Sequence, residues 1–154
     1  MSDAENTLIM TLETGVVTIR LRPDVAPGHV ARIKELAREG FYDGIIFHRV
    51  IDGFMAQGGD PTGTGSGGSD KPDLRAEFSN VKHVRGACSM ARTSNPHSAN
   101  SQFFICLDEA DYLDGDYTVW GEVIEGMEHV DALPKGEPPR NPGKIVSMKV
   151  AADA

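Results

Sequence analysis

Near its N-terminus the chain alternates between apolar and polar side chains, with a turn in the middle. Apolar residues occupy every second position of two short runs: Leu8, Met10 and Leu12, then Val17, Ile19 and Leu21. The segment between the runs, 13–15, ends on a glycine. Because successive side chains of a strand point to opposite faces, this pattern predicts a β-hairpin with one buried face.

The spacing of apolar residues then changes to that of a helix. Pro23 and Pro27 end the preceding strand and open the helix, and Gly40 is a natural stop. The apolar positions of this segment are Val30, Ile33, Ala37 and Phe41. We expect this stripe to pack against a sheet.

The remainder of the chain predicts several short strands and one short helix. Strands are expected at 45–50, 87–91, 102–107, 118–124 and 145–150, a helix at 126–133, and loops at 58–72 and 137–143. The last strand is able to pair with the first. With no regular βαβ alternation, the sequence predicts one mainly-β domain over 1–154, a closed antiparallel barrel with two helices.

The charge of the chain argues against a polyanionic partner. It has 15 Lys and Arg against 23 Asp and Glu, a formal net charge of −8, and no basic cluster. Such a chain repels nucleic acid and anionic membranes. Residues 1–6 are acidic and polar, without the basic and apolar regions of a signal sequence, and are expected to be flexible. We therefore expect a cytoplasmic monomer that binds neither nucleic acid nor membranes.

Neither the cysteines nor the glycine-rich segment indicates a cofactor. Cys88 and Cys106 lie in apolar, strand-like runs without metal-ligand spacing, so two buried, reduced thiols are expected. The segment 63–68 fits the spacing of a dinucleotide-binding loop, but Pro61 and Pro72 leave no strand before it and no helix after it. The acids at 108–116 are expected to form a solvated rim. We predict no cofactor and no metal.

The segment 47–60 carries the most chemical information in the chain. It places Arg49, Phe54, Met55 and Gln57 within nine residues, leading into a glycine turn. No nucleophile or pair of acids accompanies them, so the segment is suited to grip and polarise a ligand. His48 and Arg49 are expected to face opposite sides of a strand, with His48 in a structural hydrogen bond. A second segment of similar character, 98–105, contains Gln102 and Phe104.

Together these two segments resemble the cyclophilins, the cyclosporin-sensitive peptidyl-prolyl cis/trans isomerases, and the resemblance extends over about 7–150. It implies an eight-stranded antiparallel barrel capped by two helices, acting on X-Pro bonds of peptides and unfolded proteins during protein folding. It also implies that Arg49 is the central catalytic residue, with Gln57 beside it. The substrate-binding positions that it implies are Phe54, Met55, Ala91, Arg92, Thr93, Gln102, Phe104, Tyr112, Leu113 and Tyr117.

At a few of these positions the sequence departs from the family pattern. Tyr112 stands where cyclosporin-sensitive members have tryptophan, so it lacks the indole N–H and cyclosporin binding is expected to be weakened. Tyr117 replaces a common histidine at the pocket edge. Arg92 and Thr93 stand where asparagine and alanine are frequent, which alters the groove beside the pocket.

Two other functions remain open from the residues alone. The same pocket is compatible with a proline-peptide clamp or chaperone whose isomerase activity is incidental. A hydrolase using His48 or His97 with Ser98 or Ser101 is a weaker alternative, because no nucleophile-elbow motif is present. Trp120, the only tryptophan, is expected in the barrel wall and away from the pocket.

Overall fold

The computed structural model describes residues 4–153, which form eight strands, two α-helices and three short 3-10 helices. The strands are β1 (Thr7–Leu12), β2 (Gly15–Leu21), β3 (Arg49–Ile51), β4 (Met55–Gly58), β5 (Ala87–Met90), β6 (Phe103–Cys106), β7 (Val119–Glu125) and β8 (Ile145–Val150). The helices are α1 (Pro27–Arg38) and α2 (Met127–Asp131), and the 3-10 helices are Ala4–Asn6, Asp111–Leu113 and Ala151–Asp153.

All eight strands belong to one antiparallel sheet in the order β3-β4-β6-β5-β7-β2-β1-β8. The predicted hairpin is confirmed as the β1–β2 pair, in which Leu8 lies opposite Ile19. The predicted pairing of the last strand with the first is also confirmed, with Leu8 opposite Val150. The sheet curls into a half-barrel whose concave side is filled by the main apolar core.

The prediction of a closed barrel is wrong. Strands β3 and β8 stand at the two ends of the sheet order and share no ladder. The gap is spanned by an isolated bridge between Ile46 and Lys144 and by a few backbone hydrogen bonds that join residues 44–47 to residues 143–145, without forming a ladder. The physical reason is that most of the predicted strand 45–50 does not enter the sheet. The ladder of β3 begins at Arg49 and is three residues long, which is too short to close the barrel.

The main core lies between the sheet and α1. Helix α1 buries Val30, Ile33 and Ala37 of the predicted apolar stripe, and Leu36 in addition. Phe41, the fourth predicted position, follows the helix and is partly buried against the same core. Trp120 of β7 is fully buried in the same core, where its ring makes an edge contact with Phe103 at a centroid distance of 5.8 Å. The core therefore occupies the face of the sheet that carries Ile105 and Cys88, and leaves the opposite face of β3–β6 free for other uses.

Helix α1 obtains its N-terminal cap from a distant loop. Ala26 at the N-cap position makes no side-chain hydrogen bond. Glu77 supplies both carboxylate oxygens instead, accepting from the backbone N–H of Gly28 at 3.1 Å and of His29 at 2.8 Å. A carboxylate at a helix N-terminus satisfies unpaired N–H groups and complements the helix dipole. This contact also fastens the long irregular segment 59–86 to the helix.

The chain termini and the cysteines complete the description. Of the expected flexible segment 1–6, residues 1–3 lie outside the described residues, whereas Ala4–Asn6 form a 3-10 helix whose Glu5 pairs with Lys34 and Arg38. Cys88 and Cys106 are free and buried, as predicted.

Within residues 4–153, no helix has the length and apolar character required to span a membrane.

Candidate functional site

The register of the sheet places a cation, an amide and an aromatic ring in one row. Arg49 of β3 lies opposite Gln57 of β4. Gln57 in turn lies opposite Phe104 of β6, and Phe104 lies opposite Ser89 of β5. Residues directly opposite one another on antiparallel strands share a face of the sheet. The two sequence segments singled out above therefore meet on the side of the sheet that faces away from the main core.

Hydrogen bonds connect the polar side chains of this row. Arg49 Nη1 donates to Gln57 Oε1 at 3.3 Å, and Gln57 Nε2 donates to Gln102 Oε1 at 3.0 Å. Gln102 Nε2 donates to the carbonyl oxygens of Gly65 and Gly67, at 3.0 and 2.9 Å. Each amide is thus held in one orientation, and the Arg49 guanidinium is connected through them to the glycine-rich loop.

The guanidinium of Arg49 has a second partner that comes from the other side of the site. Its Nε donates to Glu137 Oε1 at 3.0 Å, and the Arg49 side chain is 43% exposed. Among residues 4–153, Nη2 has no hydrogen-bond partner. Arg49 is therefore fixed at two nitrogens and presents the third to solvent or to a ligand.

Asp60 organises the glycine-rich loop that supports Gln102. The side chain is almost fully buried, and its Oδ2 accepts from the backbone N–H groups of Thr64, Gly65 and Gly67. Its Oδ1 accepts from the N–H and hydroxyl of Thr62. Burial opposes ionisation of Asp60, but the donors of Gly67, Thr62 and Gly65 outweigh it and hold the pKa well below its ordinary value. The loop is thus wrapped around an ionised carboxylate.

A second apolar cluster lies beside the polar row and forms what we call the apolar pocket. Met55 and Phe104 are its buried floor, at 2% and 4% exposure, and Phe54, Leu113 and Tyr117 pack around them. Phe54 precedes β4 in a turn in which Gly53 has a φ of 72° and Phe54 N donates to Ile51 O. The turn at Gly53 therefore brings two consecutive side chains, Phe54 and Met55, into one cluster.

Behind the floor, His83 supports the Phe104 ring. The two rings stack at a centroid distance of 6.0 Å. His83 Nε2 lies 2.9 Å from Ser89 Oγ, and His83 Nδ1 lies 3.0 Å from Asp114 Oδ1. This serine–histidine–aspartate order resembles a catalytic triad, but the Ser89 hydroxyl donates to Thr118 O, and both Ser89 and His83 are buried. The network is structural because no substrate can reach it.

Asp114 also corrects one prediction about the acids at 108–116. Its side chain is 18% exposed, and the N–H of His83 donates to it at 2.7 Å. This hydrogen bond is the main reason that its pKa is lowered. Asp114 thus holds His83 behind the pocket floor, whereas Asp108, Asp111 and Asp116 are exposed as predicted.

The rim of the pocket carries the residues at which the sequence departs from the family pattern. Tyr112 is 66% exposed, and its ring lies 5.8 Å from that of Phe54. Arg92 is engaged with the protein: its Nε and Nη2 donate to Asp116 O, and its guanidinium carbon lies 4.5 Å from the centre of the Tyr117 ring. Unlike Arg49, Arg92 uses its donors to shape the rim.

A groove of about 560 Å³ runs from the polar row along the glycine-rich loop. Its walls include Gln57 and Gln102 at one end and Ala91, Arg92 and Thr93 on the side of the pocket. All twelve predicted site residues therefore lie in one continuous region formed by the polar row, the apolar pocket and this groove.

His48 and the serines do not form a hydrolytic site. His48 precedes β3 and is buried beside Gly65 of the glycine-rich loop, and burial lowers its pKa. The prediction that His48 makes a structural hydrogen bond is wrong for its Nδ1 atom. This atom is buried and has no hydrogen-bond partner among residues 4–153. Ser98 Oγ and Ser101 Oγ donate to the carbonyl oxygens of Asn95 and Gly59, so neither contacts His48 or His97.

Comparison with known proteins agrees with this geometry. Residues 7–150 match the family model described as cyclophilin type peptidyl-prolyl cis-trans isomerase/CLD. A relative from Brucella suis biovar 1 (strain 1330), named "Probable peptidyl-prolyl cis-trans isomerase", is 50% identical over 99% of this chain and 86% of its own length. The chain belongs to the cyclophilin family.

Solved structures give the same result. The crystal structure of cyclophilin AquaCyp293 from Hirschia baltica superposes with a TM-score of 0.91 at 34% identity, covering 99% of this chain and 76% of that one. A cyclophilin-type isomerase from Cryptosporidium parvum, crystallised in the presence of the dipeptide Ala-Pro, has a TM-score of 0.87 at 30% identity, covering 94% and 98%. The activity of the present chain is that of a peptidyl-prolyl cis-trans isomerase.

Sequence reasoning missed three residues that shape the site. Glu137 lies in the predicted loop 137–143, Asp60 is the last residue of the segment 47–60, and His83 belongs to no motif. An acidic residue followed by glycine and threonine residues is a recognisable signal for a carboxylate that accepts hydrogen bonds from the loop after it, as Asp60 does. For Glu137 and His83 the sequence carries no such signal, because their partners are distant in the chain.

Proposed function

We propose that this isomerase lowers the barrier to X-Pro rotation by transition-state stabilisation at Arg49. Rotation requires the loss of amide resonance, at a barrier of about 18–20 kcal/mol. In the twisted state the prolyl nitrogen regains a lone pair. A donor placed there stabilises the twisted state more than either planar state, so the rate rises without covalent chemistry.

The observation that carries this proposal is the state of the Arg49 guanidinium. It is fixed at Nε and Nη1, has no partner at Nη2 in the described part of the chain, and lies beside an apolar pocket. Pre-organised donors stabilise a transition state without reorganising during the reaction. The apolar pocket is suited to a proline ring, and Gln57 and Gln102 are suited to hold the backbone of the peptide on either side of it.

For substrates we propose proline-containing peptides and unfolded protein segments. The Cryptosporidium parvum relative was crystallised in the presence of Ala-Pro, which supports a proline ligand here. The site lies on the surface and draws all its residues from one chain, so we propose that it works as a monomer. Two free thiols suit a reducing compartment, and on that basis we place the protein in the cytoplasm.

Cyclosporin binding is proposed to be weak in this protein. Tyr112 provides an exposed aromatic ring at the rim but no indole N–H donor. Arg92 and Thr93 further change the groove beside the pocket, so residue preference next to the proline is proposed to differ from that of members with smaller residues there.

The proposal predicts that Arg49→Ala lowers the isomerisation rate by about two to three powers of ten, the scale for loss of a pre-organised donor. The measurement is cis-to-trans exchange of an X-Pro peptide by NMR, with peptide binding followed by chemical-shift titration. Arg20→Ala is the matched control, since Arg20 is an exposed strand arginine paired with Glu122 away from the site. A folded Arg49→Ala protein that keeps most of its activity contradicts the assignment.

The second candidate function is a proline-peptide clamp or chaperone, favoured by the same apolar pocket. The two candidate functions predict different effects of Arg49→Ala on the refolding and aggregation of unfolded client proteins. An isomerase loses its effect on proline-limited refolding while peptide binding is retained. A clamp keeps suppressing aggregation of a client to the same extent in the variant and the wild type.

A further inference from the structure

The contact between Arg49 and Glu137 joins the polar row to a loop that the family assignment does not explain. Glu137 is 88 residues further along the chain, and its Oε1 accepts from Arg49 Nε at 3.0 Å. Gln57 binds the guanidinium at Nη1. A guanidinium is planar, so partners at two of its nitrogens fix both its plane and its rotation within the plane.

The backbone places Glu137 beside Arg49 by direct pairing. Gly136 N donates to Val50 O at 2.8 Å, and Val50 N donates to Gly136 O at 2.9 Å. This reciprocal pair is an isolated antiparallel bridge at the outer edge of β3. The residue that follows Gly136 is therefore held next to the residue that precedes Val50, which is Arg49.

The loop around Glu137 is also restricted in conformation. Gly136 has a φ of 142°, and a Cβ there would lie 2.6 Å from Pro139 Cα, so no larger residue fits without a shift. Pro138 limits the backbone of the residue before it, which is Glu137, to extended conformations. The carboxylate is thus presented to Arg49 from a fixed backbone, although its side chain is 57% exposed.

The exposed pair of Arg20 and Glu122 shows what is particular about this contact. There, Nε and Nη2 of Arg20 both donate to Glu122 Oε1, at 3.1 and 2.6 Å. In the Arg49 pair only Nε donates to the carboxylate. Exposed ion pairs of either kind add little to stability. The effect of Glu137 is therefore to be sought in the orientation of Arg49.

We propose that Glu137 is a positioning residue of the isomerase: it holds Arg49 Nε so that Nη2 remains available and correctly oriented for the prolyl nitrogen. This inference rests on the proposed role of Arg49. Glu137 itself need not contact the substrate. Its loss frees the guanidinium to rotate about its remaining bond to Gln57, and misplacement of a catalytic group lowers the rate of the chemical step.

The test compares Glu137→Ala and Glu137→Gln with Glu122→Ala, which removes a matched exposed carboxylate away from the site. NMR exchange on an X-Pro peptide gives kcat and KM separately. We expect Glu137→Ala to lower kcat about tenfold with KM changed less than about twofold, since orientation acts on the transition state. Glu137→Gln keeps an acceptor oxygen and should recover most of the activity, and Glu122→Ala should match the wild type.

Two further readouts separate positioning from a general structural effect. The ¹H–¹⁵N resonance of Arg49 Nε should shift in Glu137→Ala and not in Glu122→Ala. In an Arg49→Ala background, Glu137→Ala should cause no further loss of kcat, because residues that act through one another are not additive.

The outcomes distinguish this inference from the proposed function. If Arg49→Ala abolishes activity but Glu137→Ala stays within about twofold of the wild type, Glu137 is not a positioning residue and the role of Arg49 stands. An equal loss from Glu137→Ala with and without Arg49 also overturns the inference. If Arg49→Ala itself remains active, the proposed mechanism fails and there is no catalytic guanidinium for Glu137 to position.

Discussion

At the scale of single residues, the chemistry of the site depends on how few donors are left unpaired. Arg92 and Arg49 both lie within the site, yet Arg92 donates to Asp116 O and Thr93 O, whereas Arg49 keeps Nη2 without a partner among residues 4–153. Arg92 thus has a structural role at the rim of the pocket, whereas Arg49 is the candidate catalytic residue. What separates them is the supply of acceptors around each guanidinium.

Asp60 provides a prediction at this scale. Asp60→Asn replaces one carboxylate oxygen with an NH₂ group, which cannot accept from the loop N–H groups. We expect the free energy of unfolding to fall by about 2 kcal/mol, since hydrogen bonds to charged groups contribute about 1.5–3 kcal/mol each. Isomerase activity should fall too, because Gln102 is anchored on the carbonyl oxygens of that loop.

Urea denaturation and the NMR exchange assay check the prediction for Asp60. Asp70→Asn is the control, because Asp70 is an exposed acid close to the same loop. Equal stability and activity of Asp60→Asn and the wild type would show that the buried carboxylate does not organise the loop.

At the scale of elements, the N-terminus of α1 links a helix to the long irregular segment through ionisable groups. Burial lowers the pKa of His29, whose Nδ1 faces Glu77 and whose Nε2 has no partner in the described part of the chain. A second proton would therefore place a buried N–H without an acceptor. Burial opposes ionisation of Glu77, but hydrogen bonds from His29 and Gly28 outweigh it and lower its pKa.

Both shifts give stability the same dependence on pH. Both residues bind protons more weakly in the folded chain than in the unfolded chain. Their full contribution to the free energy of unfolding is therefore present above the ordinary histidine pKa, about 6.5. It should decline as the pH falls below that value, and decline further below the ordinary glutamate pKa, about 4.3. Urea denaturation between pH 7.5 and pH 5 measures the first part of this decline.

His29→Gln should flatten the decline in stability between pH 7.5 and pH 5. Glu77→Ala should lower stability at pH 7.5 by about 1–2 kcal/mol, the typical contribution of a helix cap. An identical pH slope in His29→Gln and the wild type would show that His29 does not titrate differently in the two states.

At the scale of the whole molecule, the sheet separates two apolar regions. The main core fills the concave side with α1, and the smaller cluster of the apolar pocket lies on the other side of β3–β6. Phe103 and Phe104 are neighbours in sequence, yet one belongs to each region. Folding is expected to fix both regions at once, since the same strands form their common wall.

Trp120 makes this separation measurable. It is fully buried in the main core and is absent from the apolar pocket. Its fluorescence should therefore change little on addition of a proline peptide but strongly on unfolding, with a midpoint equal to that from far-ultraviolet circular dichroism. A large change in Trp120 emission on peptide binding would show that the two regions are coupled.

The local pattern of the sequence was sufficient for most of the elements, and the resemblance to the cyclophilins supplied most of the predicted site residues. Period-two alternation gave the hairpin and the last strand, and helical spacing gave α1. The motif around Arg49, Phe54, Met55 and Gln57 predicted residues that the structure does place together. These features are set by short-range geometry, so neighbouring residues contain the information.

The tertiary structure alone decided the features that depend on distant parts of the chain. The open gap between β3 and β8 follows from which residues of 45–50 enter the ladder, and alternation does not reveal this. Glu137 reaches Arg49 because a single bridge to Val50 aligns two segments 86 residues apart. Such contacts depend on register between remote strands. The sequence by itself therefore determined the parts of the site, and the curled sheet determined how each part is held.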